Sequence, residues 1–213
     1  MKYNKLVDLL GKQGWFDLAT LVQLSGERRQ SMHMQLYRWC KAGMLLPLRR
    51  GLYAFPDRYR ASGIHAAELA NMLYTPSYLS THWALGFYGL IPEYVAQFTS
   101  VTSRKTKTFE NMFGTFRYQH IKISSIFGYR PFEINSRKVL LAEPEKALLD
   151  LWHLEQGKWV EDRMAEMRFQ GFEIVDVEKL QRYAARFESP RLTKATEVFL
   201  MFAKTEMEGV VQL

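Results

Sequence analysis

Residues 25–55 read SGERRQSMHMQLYRWCKAGMLLPLRRGLYAF. Between about 27 and 42, Met32, Leu36, Trp39 and Cys40 recur at helical spacing within a stripe roughly 100° wide, which predicts an amphipathic helix. The opposite face carries Gln30, Ser31, Met34, Arg38 and Lys41, with Gln35 and Tyr37 at its margins. Two short apolar runs follow, 45–49 and 52–55, around Arg50-Gly51, where glycine supplies the positive φ that a hairpin tip requires. Pro47 has no amide hydrogen, so the first run must lie at a sheet edge or be irregular.

Upstream, Leu6, Leu9 and Leu10 share one helical face, and Gly11 and Gly14 mark its exit. Asp17 is placed to cap a second short helix through Leu18, Leu21 and Val22, which Ser25-Gly26 ends in a turn. Three helices followed by a basic-tipped hairpin is the order of a winged helix-turn-helix. Arg and Gln read base edges through paired hydrogen bonds, whereas Lys, Ser and Tyr more often hold phosphates. Gln30, Ser31, Met34 and Gln35 are therefore expected near bases, Arg38 and Lys41 nearer the DNA backbone, and Arg49 and Arg50 at phosphate or the minor groove. Arg28 and Arg29, at the start of the helix, complete the candidate set.

The charge distribution points the same way. Residues 1–60 hold eleven Lys or Arg against four Asp or Glu, which accounts for the whole net charge of +7; the other 153 residues balance, with 18 of each sign. Clustered Lys and Arg fit a polyanion, because each phosphate that they neutralise releases counterions. A hydrophobic content of 47% is enough to bury a core. The sequence shows no apolar run long enough to span a bilayer and no signal-peptide pattern at its start, so a soluble, cytoplasmic protein is expected. Cys40, the single cysteine, can form neither an internal disulfide nor a CxxC zinc site. The five histidines lack metal-ligand spacing, and no GxSxG, Walker or GxGxxG motif occurs, so neither an enzyme nor a metal or cofactor is expected.

The segment PDRYRASG at 56–63 reads as a linker, dividing the chain into residues 1–60 and 61–213 with a boundary near 62. Helices are expected at 64–73 and 81–88 around the turn formers Thr75-Pro76-Ser77, the second capped by Ser80. Trp83, Leu85 and Phe87 are assigned to the core, with a nucleobase-stacking platform as the sharper option. Strands are expected at 96–102, 115–123, 132–134 and 139–142, the last two joined through Asn135-Ser136; a parity change suggests a bulge near His120.

Residues 101–138 form a second basic region with eight bases and two acids. Its densest part is the expected loop SRKTKT at 103–108, where Arg104, Lys105 and Lys107 are either a solvated tip or a second surface for nucleic acid or toxin. Glu143-Pro144-Glu145 opens a helix whose Glu145, Lys146 and Asp150 do not match the acid and acid-x-lysine strands of a nuclease. Asp176 and Ser189-Pro190 start closing helices, the last with an apolar stripe of Leu192, Ala195, Val198, Phe199 and Phe202. Phe199, Met201, Phe202 and Met207 also fit a partner-binding surface. The expected fold class is α+β: a winged helix-turn-helix, then a mixed α/β domain with a C-terminal helical bundle.

In order along the chain, RRGLYAFP, YLSTHWALGFYGLIPE, FTSVTSRKTKTF and VLLAEPEKALLDLWHL resemble the AbiEi family of antitoxins, also described as predicted transcriptional regulators of viral defence systems. The likeness covers residues 3 to about 200 and is carried by motif order and spacing. It implies a type IV antitoxin that represses its own operon, binding inverted repeats of its promoter DNA through the winged helix as a monomer or homodimer. It also implies that the protein counters a nucleotidyltransferase-like toxin, with the C-terminal domain needed for antitoxin action. The alternative is a stand-alone winged-helix regulator whose second domain senses a ligand or oligomerises.

Overall fold

A computed structural model describes residues 1–60 and 63–210 of the chain. Ala61 and Ser62, in the expected linker and at its expected boundary near 62, lie outside the described residues. The fold is mixed α+β and resolves into two compact units, Met1–Leu69 with Phe109–Gly114, and Ala70–Thr108 with Thr115–Leu213. Among the described residues no helix is long and apolar enough to cross a membrane.

In the first unit, α1 (Tyr3–Leu10), α2 (Leu18–Ser25) and α3 (Arg29–Lys41) precede a hairpin of β2 (Leu46–Arg49) and β3 (Leu52–Ala54). The α2 cap forms as the sequence predicts: Asp17 accepts from the Thr20 N–H at 2.8 Å and the Thr20 hydroxyl at 2.7 Å. Gly26, with φ of 66°, ends that helix in the left-handed region. Leu6, Leu10, Leu21, Met32 and Leu36 converge with Phe16, Leu45 and Phe55 into one core. Gly51, at φ of 80°, turns the hairpin.

A short strand that the sequence pattern does not predict, β1 (Trp15–Asp17), pairs antiparallel with β3, giving the order β1-β3-β2. Three residues are too few to show alternation. Pro47 lies on the edge strand β2, whose register against β3 shifts between Pro47 and Arg49.

The second unit holds the strands of a six-stranded sheet, β6-β7-β5-β4-β9-β8, apart from Phe109–Asn111 of β6 and Gly114 of β7, which belong to the first unit. The sheet's strands are β4 (Ser77–Leu79), β5 (Phe98–Thr102), β6 (Lys107–Asn111), β7 (Gly114–His120), β8 (Tyr129–Ile134) and β9 (Arg137–Ala142). Asn135 and Ser136, at φ of 50° and 61°, turn the β8–β9 hairpin as a primed turn requires. Helices α4 (Ala66–Leu73), α5 (Thr81–Phe87), α6 (Pro144–Leu154), α7 (Glu161–Glu166), α8 (Val177–Arg186) and α9 (Pro190–Val210) complete the chain. The expected stripe of α9 is mostly buried, with Leu192, Ala195, Phe199 and Phe202 inside and Val198 at the margin.

Several local expectations are corrected here. Ser77 is not a turn residue but begins β4, a buried strand too short to announce itself. Lys107 and Thr108 begin β6, so the basic stretch is only partly a loop. No bulge explains the parity change at His120: β7 ends there, and Ile121 leaves the strand with its N–H on the Thr102 carbonyl. Ser80 occupies the cap position of α5 without capping it, since its hydroxyl donates to Asp150; the Thr99 hydroxyl accepts from the Trp83 N–H instead. Thr81 follows at φ of 51°, a left-handed conformation that a β-branched residue adopts only at a cost of about 1–3 kcal/mol. Of the aromatic trio, Leu85 is core, but Trp83 is half-buried and Phe87 exposed, the two rings stacked at 5.6 Å.

Candidate nucleic-acid interface

Met32 and Leu36, wholly buried, fix which side of α3 faces inward. The other side then has to face solvent, and Arg28, Arg29, Gln30, Ser31, Met34, Arg38 and Lys41 are all exposed. Among the described residues, none of the polar side chains in that set makes a hydrogen bond or ion pair. Arg38 and Lys41 sit in the last turn, where the helix dipole favours cations. Arg28 and Arg29 occupy the opposite, positive end, which carries no capping side chain and no acid in its first turn. Two cations there are each disfavoured by about 0.3–1 kcal/mol unless an anion joins the free N–H groups.

Gln35 and Arg49 are placed less freely than the sequence suggests. Gln35 is half-buried, its Oε1 accepting from the Met1 ammonium at 3.1 Å. Tyr37, expected at the margin of the face, is 59% exposed. At about 100° per residue it lies nearer the middle of the outer face than Gln35 does, a signal the helical wheel already contained. Arg49 is half-buried and turned onto the Arg50 carbonyl at 3.1 Å, whereas Arg50 is exposed at the tip. On the far side of β2, Asn111 donates to the Leu48 carbonyl at 3.1 Å. No protein-family model matches the chain, and no curated protein matches it either.

In the second unit the basic stretch divides. Arg104 lies 4.2 Å over the Tyr74 ring and donates to the Thr75 carbonyl at 3.1 Å, so its charge is held back against the fold. Lys105 is exposed, its carbonyl accepting from the Tyr74 hydroxyl at 3.1 Å; Lys107 is exposed on β6.

The α6 cluster has a placement that the sequence did not suggest. Glu145, Lys146 and Asp150 are at most 1% exposed. Lys146 pairs with Asp150 one turn on, and the other Asp150 oxygen accepts from the Tyr78 hydroxyl at 2.9 Å and the Ser80 hydroxyl at 2.7 Å. The ammonium sits among three rings, 4.9 Å from Phe187, 5.1 Å from Phe127 and 5.5 Å from Tyr78. Burial lowers the Lys146 pKa against the opposing pull of Asp150; burial, then the Asp150 charge, raises that of Tyr78, which stays a donor. A side chain at Gly128 would come 2.8 Å from Tyr183 and 3.1 Å from Lys146, so only glycine fits against this cluster.

Proposed function

We propose that the first unit is a winged helix-turn-helix that binds double-stranded DNA, and that the protein is a cytoplasmic autorepressor and antitoxin of the AbiEi type. The observation that carries the reading is the outer face of α3. Gln30, Ser31, Met34, Tyr37, Arg38 and Lys41 project from it without partners among the described residues, in the segment that holds the whole net charge. A recognition helix needs this combination: free side chains that can reach base edges, and cations at its ends for phosphates. Arg50 at the hairpin tip supplies the wing contact, and Arg28 and Arg29 with the uncapped α3 start take a further phosphate.

The antitoxin part rests on the motif order that resembles AbiEi, with a nucleotidyltransferase-like toxin as the partner of the second unit. No step of bond-making chemistry is assigned to the protein. Mobility shifts on the protein's own promoter over a salt series test the DNA reading: tighter binding than to random duplex at matched salt supports a specific repressor, and equal binding removes it. The antitoxin reading expects a nucleotidyltransferase gene in the same operon, and co-expression with its product tests that reading separately, by growth rescue.

A further inference from the structure

The second unit contains a cleft of about 610 Å³, a size that suits a small molecule. One wall is the sheet face carrying Thr99 on β5 and Arg117 and Gln119 on β7, where Thr99 and Arg117 are register partners. Thr81 and His82 of α5 and Glu155 after α6 form the other wall, with Glu166 of α7 at the margin. Ile91, Val95, Leu154 and Met167 add an apolar surface.

The polar groups here fall into two sets. Some are already satisfied: the Thr81 hydroxyl donates to that of Thr99 at 2.9 Å, and Thr99 to the Ser80 carbonyl at 2.8 Å. Glu155 is shared by Arg163 and His82, the latter at 3.4 Å, and Glu93 faces Arg168 at 3.4 Å. The rest are uncommitted. Among the described residues Arg117, Gln119 and Glu166 have no hydrogen-bond or ion-pair partner for their side chains, yet all three line the same cleft. Burial lowers the His82 pKa, with Glu155 pulling the other way and Arg117 adding to the decrease, so these charges act at one place. Thr81 holds its left-handed φ on the cleft wall, and strain of that kind collects at binding sites.

We propose that this cleft binds a small zwitterion of the α-amino acid type, its carboxylate on Arg117 beside Gln119, its ammonium on Glu166 and its apolar side chain against Ile91, Val95 and Leu154. A ligand carrying only negative charge meets the carboxylates of Glu93, Glu155 and Glu166, and one carrying only positive charge meets Arg117; a zwitterion satisfies both free groups. The inference rests on neither the DNA-binding nor the antitoxin reading.

Titration calorimetry of the full chain with each standard amino acid, alongside its deamino and decarboxylated analogues, tests it. The expected result is binding of at least one amino acid with an apolar side chain and none of its analogues. Arg117→Met and Glu166→Gln, both at exposed positions, should keep the unliganded melting temperature and weaken binding by about tenfold or more, the effect of losing a charge-assisted hydrogen bond. Absence of binding by every amino acid, equal binding of an analogue, or undiminished affinity in either variant overturns the proposal.

Discussion

Helices α3 and α6 both carry charged residues at helical spacing, and they use them in opposite ways. On α3 the charges stay in water with no partner among the described residues, held outward by Met32 and Leu36. On α6 they point inward, where Asp150 takes three donors and Lys146 is enclosed by rings. An unpaired charge is cheap in water and costly in a core. The first helix can therefore keep groups free for a partner, whereas every member of the second cluster is tied to its neighbours. Charged residues at helical spacing alone do not separate the two cases.

The sharpest way to break this contrast is Asp150→Ala, which leaves Lys146 buried without its counter-ion and two hydroxyls without an acceptor. Urea unfolding should show a loss of about 3–5 kcal/mol, and the pair Lys146→Met with Asp150→Leu should recover the part due to the unpaired ammonium, leaving the cost of the two hydroxyls. A loss below about 1 kcal/mol would mean that α6 tolerates free charge as α3 does. On the other helix, Gln30→Ala should reduce discrimination between promoter and random duplex by about 1–3 kcal/mol in competition binding, with stability unchanged. An unaltered ratio would move base reading elsewhere on the face, with Tyr37→Ala the next variant to measure.

Smaller effects sharpen the same boundary. Asp17→Ala should cost about 1 kcal/mol through loss of the α2 cap. Burial works against the Asp17 charge, but the hydrogen bonds from Thr20 and Ala19 outweigh it and hold its pKa below the ordinary value. Its contribution to stability is therefore present above the unfolded pKa of about 3.9 and disappears as the pH falls through the lower folded value; the alanine variant should lack that acid-side loss. Arg38→Ala with Lys41→Ala should lower the unfolding free energy by no more than about 2 kcal/mol, the dipole contribution of two last-turn cations. The same pair should flatten the salt dependence of DNA binding by about 0.9 in log-log slope for each phosphate left without its cation.

Period and punctuation were enough to place the helices of the first unit, the Asp17 cap and the Gly51 turn, because each is set by residues within one or two turns of the chain. The outer face of α3 was legible for the same reason: burying Met32 and Leu36 leaves the remaining residues no other side. Strands β1, β4 and β6 were not legible. The first two are only three residues long and take their identity from partners distant in sequence, whereas β6 reads as a polar stretch of no net charge and pairs with β7 just after it. Tertiary structure alone decided that Ser80 serves Asp150 rather than its own helix, and that the Gln35 amide oxygen is taken up by the Met1 ammonium. It also brought Arg117, Glu166 and His82 to one cleft from three separate elements. Local patterns fix backbone conformation because their energies act between near neighbours in the chain; which polar group meets which depends on contacts that form only when the sheet and its helices close together.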